Sequence, residues 1–303
     1  MGAFAYARGV LDEVLDRFPS LAGRPRTVTP LPGGLSNHSY RVTTPAVTAV
    51  LRVPAGDAGL LGVDREHEYR NSLAAHAAGV GPPVLDRVGE LMVVGWVDGR
   101  TLTPADLHDP AVLHRVTTAC RTLHAGPRFA GDVDLATVQR RYRSLCARHG
   151  WRVPPAYDQH QQTVEQIAVA LAAGAEGTVP CHNDLVPANM LDTGTRVTFV
   201  DYEYAGNSDP CYELGNLAGA ADLPAETVVT SYYGAPRPSR AARVRLYAVL
   251  AHHTWALWAV IRSATGDATD DLSGWGAEQY DRARAGLTSP GLPDLLDAAT
   301  SPD

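Results

Sequence analysis

The chain has 303 residues, a formal net charge of −7 and 45% hydrophobic residues. That length can build a two-lobed unit with a sizeable core. The acidic balance excludes a protein that grips nucleic acid through a global field, and no apolar run approaches membrane-spanning length. The first residues mix acids and bases into an apolar pattern, which reads as an amphipathic helix and not a signal peptide. Tyr6 stands where a myristoylation pattern needs Ser or Thr. Strands follow at 27–31, 40–44 and 48–53, with the run GGLSN at 33–37 between the first two. A helix at 64–78 ends at Pro82 and Pro83, and strands at 84–86 and 90–95 complete a small β-rich region. Beyond residue 96 the pattern turns helical, at 104–125, 135–149 and 157–173. A strand-turn-strand unit comes next, then helices at 210–221, 225–233, 240–265 and 272–286. The tail from Ser289 is rich in turn residues and reads as frayed. Cys120, Cys146, Cys181 and Cys211 show no CxxC spacing, so they read as reduced and mostly buried.

The strand-turn-strand unit carries the chemistry. HNDLVPAN occupies 182–189 and VTFVDYEY occupies 197–204. Phosphoryl transfer needs a carboxylate to orient the attacking hydroxyl and oxygen ligands to hold Mg²⁺ on the phosphates. Asp184 fits the first role. Asn189, at the kinase catalytic-loop spacing, and Asp201, delivered by a buried β-branched strand, fit the second. A plain surface hairpin at Asp192–Thr195 would not need these groups on both sides of it.

HNDLVPAN followed by DYEY resembles the aminoglycoside phosphotransferase and choline kinase superfamily, the protein-kinase-like small-molecule kinases, and most closely bacterial choline/ethanolamine kinase-like proteins. The resemblance spans about residues 31–284. It implies a two-lobed α+β fold: an N-lobe at 1–95 that binds nucleotide and a helical C-lobe at 96–303 that carries the catalytic hairpin and substrate region. It implies ATP, with GTP as the alternative, and Mg²⁺ held by Asn189, Asp201 and Glu203. Gly33, Gly34, Ser36 and Asn37 match the phosphate cover, whose glycines let backbone N–H groups approach phosphate. Arg52 matches the strand cation that grips the α- and β-phosphates. Its acidic partner on the following helix is Glu68, with Glu66 as the alternative. Trp96 and Val97 lie in the adenine-binding hinge, while His124 and His182 read as structural braces.

HHTWALW at 252–258 resembles a choline kinase helix and places Trp255 and Trp258 on one face. With Tyr204 and Trp275 they form either an aromatic cage for an ammonium, bound by cation–π contacts, or an ordinary aromatic core. One departure stands in GNLAGAAD at 215–222: Ala220 falls where choline kinases place an acid, and Asp222 is the nearest stand-in. The expected activity is phosphorylation of a hydroxyl on a small amino alcohol, choline-like by preference. The alternatives are an antibiotic O-phosphotransferase, acting on an aminoglycoside or nucleoside, and a non-catalytic nucleotide-binding pseudokinase. The expected location is the cytoplasm, with a small-molecule partner and neither nucleic acid nor membrane.

Overall fold

The structure is a computed structural model that describes residues 8–32, 37–54, 58–175, 177–265 and 272–303. Helix α1 (Arg8–Leu15) precedes strands β1 (Thr27–Pro30), β2 (Asn37–Thr43) and β3 (Thr48–Pro54). Helices α2 (Ala58–Leu61) and α3 (Arg65–Ala77) then lead to β4 (Val84–Val88) and β5 (Leu91–Gly95). The five strands form one antiparallel sheet in the order β1-β2-β3-β5-β4. Alternation along β2 and β3 buries Val42, Leu51 and Val53 on one face, where Leu15, Phe18 and Leu21 close the core. Asp64 caps α3 by accepting from the N–H groups of Glu66 (2.9 Å) and His67 (3.1 Å).

The chain leaves the sheet at Trp96, whose N–H donates to the Thr48 carbonyl at 3.0 Å. It enters the helical part through β6 (Arg100–Thr101), which pairs with β8 (Met190–Asp192) of the hairpin. The helical part comprises α4 (Pro110–His124), α5 (Leu135–His149), α6 (Gln161–Ala173), α7 (Pro210–Ala220), α8 (Ala225–Tyr233), α9 (Pro238–Thr265), α10 (Ser273–Leu287) and α11 (Leu292–Thr300). Its axis is α9, 28 residues long, against which α5, α7, α10 and α11 pack. Gly215 makes the α7–α9 contact possible, since a Cβ there would lie 2.9 Å from the Tyr247 Cβ and 3.0 Å from the Ala248 nitrogen. No helix among the described residues is long and apolar enough to cross a membrane.

Two expectations are corrected. The span 104–125 is not one helix: a 3₁₀ turn, Pro104–His108, ends before Asp109, which caps α4 with Pro110 at its first position. The tail is not frayed either. It forms α11, and the Asp303 carboxylate accepts from the Ser239 N–H (2.7 Å) at the start of α9. Its Pro293 sits in the first helical turn, where a missing N–H costs nothing, so a turn-like signal marks a helix start. All four cysteines are free and buried.

Candidate active site

The catalytic hairpin is β8 and β9 (Val197–Phe199), preceded by β7 (Val179–Cys181) and a 3₁₀ turn at Pro187–Asn189. Antiparallel register pairs Met190 with Phe199, and the Val200 N–H continues the ladder to the Asn189 carbonyl at 3.0 Å. That register brings Asn189 opposite the residues leading into Asp201. The Asn189 amide nitrogen donates to the Asp184 carbonyl (2.9 Å) and to its Oδ2 (3.1 Å), which turns the Asn189 side-chain oxygen outward from that contact. Asn183 and Asp201 hold positive φ, 63° and 71°, which non-glycine residues rarely adopt. Two such residues, one on each side of the hairpin, mark local strain held in place by surrounding bonds.

Those bonds are specific. The buried Glu213 of α7 accepts from the N–H groups of His182 (3.1 Å) and Asn183 (2.9 Å). The Asn183 carbonyl accepts from the Tyr212 hydroxyl (3.1 Å) and the Asn216 amide (2.8 Å). His182 bonds the Val200 carbonyl through Nε2 at 2.8 Å, and burial lowers its pKa to about 4, so it is a neutral brace between the loop after β7 and the end of β9. His124 braces in the same way, through the Tyr232 hydroxyl at 2.7 Å. Burial, then the neighbouring Asp201 charge, raises Asp184 to about 7, against the opposing Asn189 bond. Burial and Asp201 also raise Glu203 to about 7. A cluster of acids this crowded, beside a free amide oxygen, is a set of hard oxygen donors that suits Mg²⁺.

Strand β3 and helix α3 contribute the cations. Arg52 on β3 is buried, contacts Asp201, and pairs with Glu68 Oε1 at 3.0 Å. Burial works against its charge, and Asp201, Glu68 and Glu203 together raise its pKa despite that. Glu66, the alternative partner, sits outside on α3 in contact with Arg87. Arg65 adds a second buried cation, 2.6 Å from Glu68 and 3.2 Å from Glu203. Asn37 opens β2 and donates to Glu203 Oε2 at 2.8 Å, which ties it to the acid cluster. Gly33, Gly34 and Ser36 lie outside the described residues. At the expected hinge, the N–H of Gly95 donates to the Pro83 carbonyl and that of Trp96 to the Thr48 carbonyl. The Trp96 ring is covered by Arg41, 4.2 Å from its centroid.

The four aromatic residues named from sequence come together. Trp258 Nε1 donates to the Tyr204 hydroxyl at 2.8 Å, Tyr204 meets Trp255 edge-on at 5.7 Å, and Trp258 meets Trp275 edge-on at 5.7 Å. Their burial differs: Trp258 is 6% exposed and belongs to the core, Trp275 is 40% exposed, and Tyr204 and Trp255 lie between. The group adjoins the catalytic loop, since the Asn183 amide donates to the Tyr204 carbonyl at 3.1 Å. Asp222 does not face it as an unpaired acid, because Arg282 holds its carboxylate at 2.6 Å.

Sequence reasoning missed Arg65, Glu213 and Asn216. Glu213 had a signal: an acid inside the apolar face of a helix, between Tyr212 and Leu214, needs a partner to be buried. Arg65 had none beyond its place three residues before Glu68.

A family model described as the phosphotransferase enzyme family matches residues 27–237. The protein LicA of Haemophilus influenzae is 25% identical over 260 residues, covering 80% of this chain and 75% of that protein. A probable choline kinase 2 of Arabidopsis thaliana is 25% identical over 304 residues, covering 88% and 86%. The solved structure of a choline/ethanolamine kinase family protein from Mesorhizobium loti superposes with a TM-score of 0.84 at 28% identity, covering 96% of this chain and 98% of that one. The chain is a small-molecule kinase and belongs to the phosphotransferase enzyme family.

Proposed function

We propose that the protein transfers the terminal phosphoryl group of ATP, with Mg²⁺, to the hydroxyl of a small amino alcohol, choline by preference. Mg²⁺ bound with the nucleotide supplies charge neutralisation at the transferring phosphoryl group. Asn189 and Asp201 hold it, and Glu203 serves a second ion directly or through water. Asp184 orients the acceptor hydroxyl and takes its proton as the oxygen attacks. Arg52 leaves Asp201 for the phosphate oxygens, a better-matched anion for its fork of donors. The N–H groups of Gly95 and Trp96 are already bonded, so Val97 supplies the hinge donor to adenine.

The observation that carries the choice of acceptor is the aromatic group tied through Asn183 to the residue beside Asp184. Rings without a free acid suit a quaternary ammonium, which binds by cation–π contact and has no N–H to satisfy. A primary ammonium needs acceptors for three donors, and Ala220 and the paired Asp222 do not offer them. The same Ala220 supports the second reading, an antibiotic O-phosphotransferase. ADP release measured with choline, ethanolamine, an aminoglycoside and a nucleoside antibiotic separates the two. Choline should give the highest kcat/KM. Efficient turnover of an antibiotic with choline inert would reverse the assignment.

A further inference from the structure

The two carboxylates assigned to metal each touch an arginine. Asp201 touches Arg52, and Glu203 Oε2 lies 3.2 Å from Arg65 Nη1. Both arginines hang on a single third acid: Glu68 gives Oε1 to Arg52 at 3.0 Å and Oε2 to Arg65 Nη1 at 2.6 Å. Arg52, Arg65, Glu68 and Glu203 are all at or below 9% exposure, so these charges meet with little water to screen them. The Arg65 atoms Nε and Nη2, and Arg52 Nε, are buried without a hydrogen-bond partner among the described residues. Unmade bonds on a buried cation cost stability. These positions therefore serve charge placement more than fold stability.

We infer that Arg65 is a positioning residue which keeps Glu203 closed to free metal, as Arg52 does for Asp201. The inference rests on the Mg-ATP reading above. A metal ion arriving alone must displace a guanidinium from Asp201 or Glu203 and offers it no new acceptor. A metal arriving with a polyphosphate brings acceptor oxygens for the displaced donors. Glu68 holds both arginines during the exchange, so neither is left as an uncompensated buried charge. Metal and nucleotide therefore bind cooperatively, and each binds weakly without the other.

The test is a Mn²⁺ titration of the nucleotide-free protein, read as loss of the free-ion signal in electron paramagnetic resonance. Wild type and Arg65→Lys, which keeps one cation in place of Nη1, should leave Mn²⁺ free. Arg65→Met should take up Mn²⁺ with an affinity raised about tenfold or more, as expected when a charge in direct contact with a carboxylate is removed. Adding Glu203→Gln should abolish the gain, since Glu203 is the carboxylate that Arg65 touches. ADP should tighten Mn²⁺ binding less in Arg65→Met than in wild type. Arg65→Gln repeats the neutral substitution if the Met variant does not fold, as judged by circular dichroism. Wild type binding Mn²⁺ alone as tightly as a folded neutral variant would overturn the inference, and so would a neutral variant that gains nothing. Wild-type turnover of ATP with the amino alcohols, measured on the same preparation, tests the kinase reading separately.

Discussion

The two ends of the candidate active site, the proposed nucleotide end and the proposed acceptor end, are built from different materials. At the nucleotide end nearly every functional side chain is a charge held by an opposite charge: Arg52 by Asp201 and Glu68, Arg65 by Glu68 and Glu203. At the acceptor end four rings from three segments meet edge-on, with one indole-to-phenol hydrogen bond among them. Charges in contact fix geometry tightly and tolerate little substitution. Rings offer a broad face whose fit to a ligand changes gradually. Under the proposed function, the contrast assigns the transfer chemistry to the first end and the choice of acceptor to the second. Mutations should therefore separate rate from specificity.

The largest effect should come from Asp184→Asn. Loss of the proton acceptor should lower kcat by about 10²–10⁴-fold and leave ATP affinity by calorimetry unchanged. Near-normal turnover would remove Asp184 from its role. The same group sets a pH dependence. Its pKa is raised to about 7, and only the ionised form accepts a proton, so kcat/KM for the acceptor should fall as pH drops through about 7. Turnover is the proper readout. Between pH 4 and 7 the raised acids Asp184, Glu203 and Glu213 favour the folded state at the acidic end, while the lowered His124, His182 and His253 favour it at the neutral end.

Asp201→Ala should come next, with weaker Mg-nucleotide binding and slower turnover together, since a metal ligand acts in both ground and transition states. Unchanged Mg-ATP affinity would place the metal elsewhere. Arg52→Ala should raise the KM for ATP and lower kcat, and Glu68→Ala should be non-additive with it, with a coupling of about 0.5–3 kcal/mol. Additive losses would mean that the 3.0 Å pair does not act as a unit.

The loop and hairpin that carry Asp184, Asn189 and Asp201 were legible because those residues lie close together in sequence. Asp184 and Asn189 share a loop, and Asp201 follows one hairpin later, so spacing alone brought them together. What Arg65 and Glu213 touch was not legible. Their partners lie far along the chain at Glu203, and at the N–H groups of His182 and Asn183, and only folding creates the contact. The acceptor end was half legible. Trp255 and Trp258 announced a shared helix face, but core and cage have the same composition. Burial then divided them, with Trp258 inside the core and Trp255 partly buried against it. The tail misled because Pro293, a breaker inside a helix, is a starter at its first turn.

The smallest expected change bears most directly on the division between the two ends. Trp255→Leu keeps apolar bulk, removes the ring quadrupole and spares the Trp258–Tyr204 bond. Measured as kcat/KM for choline against ethanolamine, with the KM for ATP alongside, it should cost choline about 0.5–2 kcal/mol, cost ethanolamine less, and leave the ATP value unchanged. An unaltered choline-to-ethanolamine ratio in a protein with a lowered melting temperature would contradict the account: the tryptophans would then be core, and acceptor choice would lie outside the aromatic group.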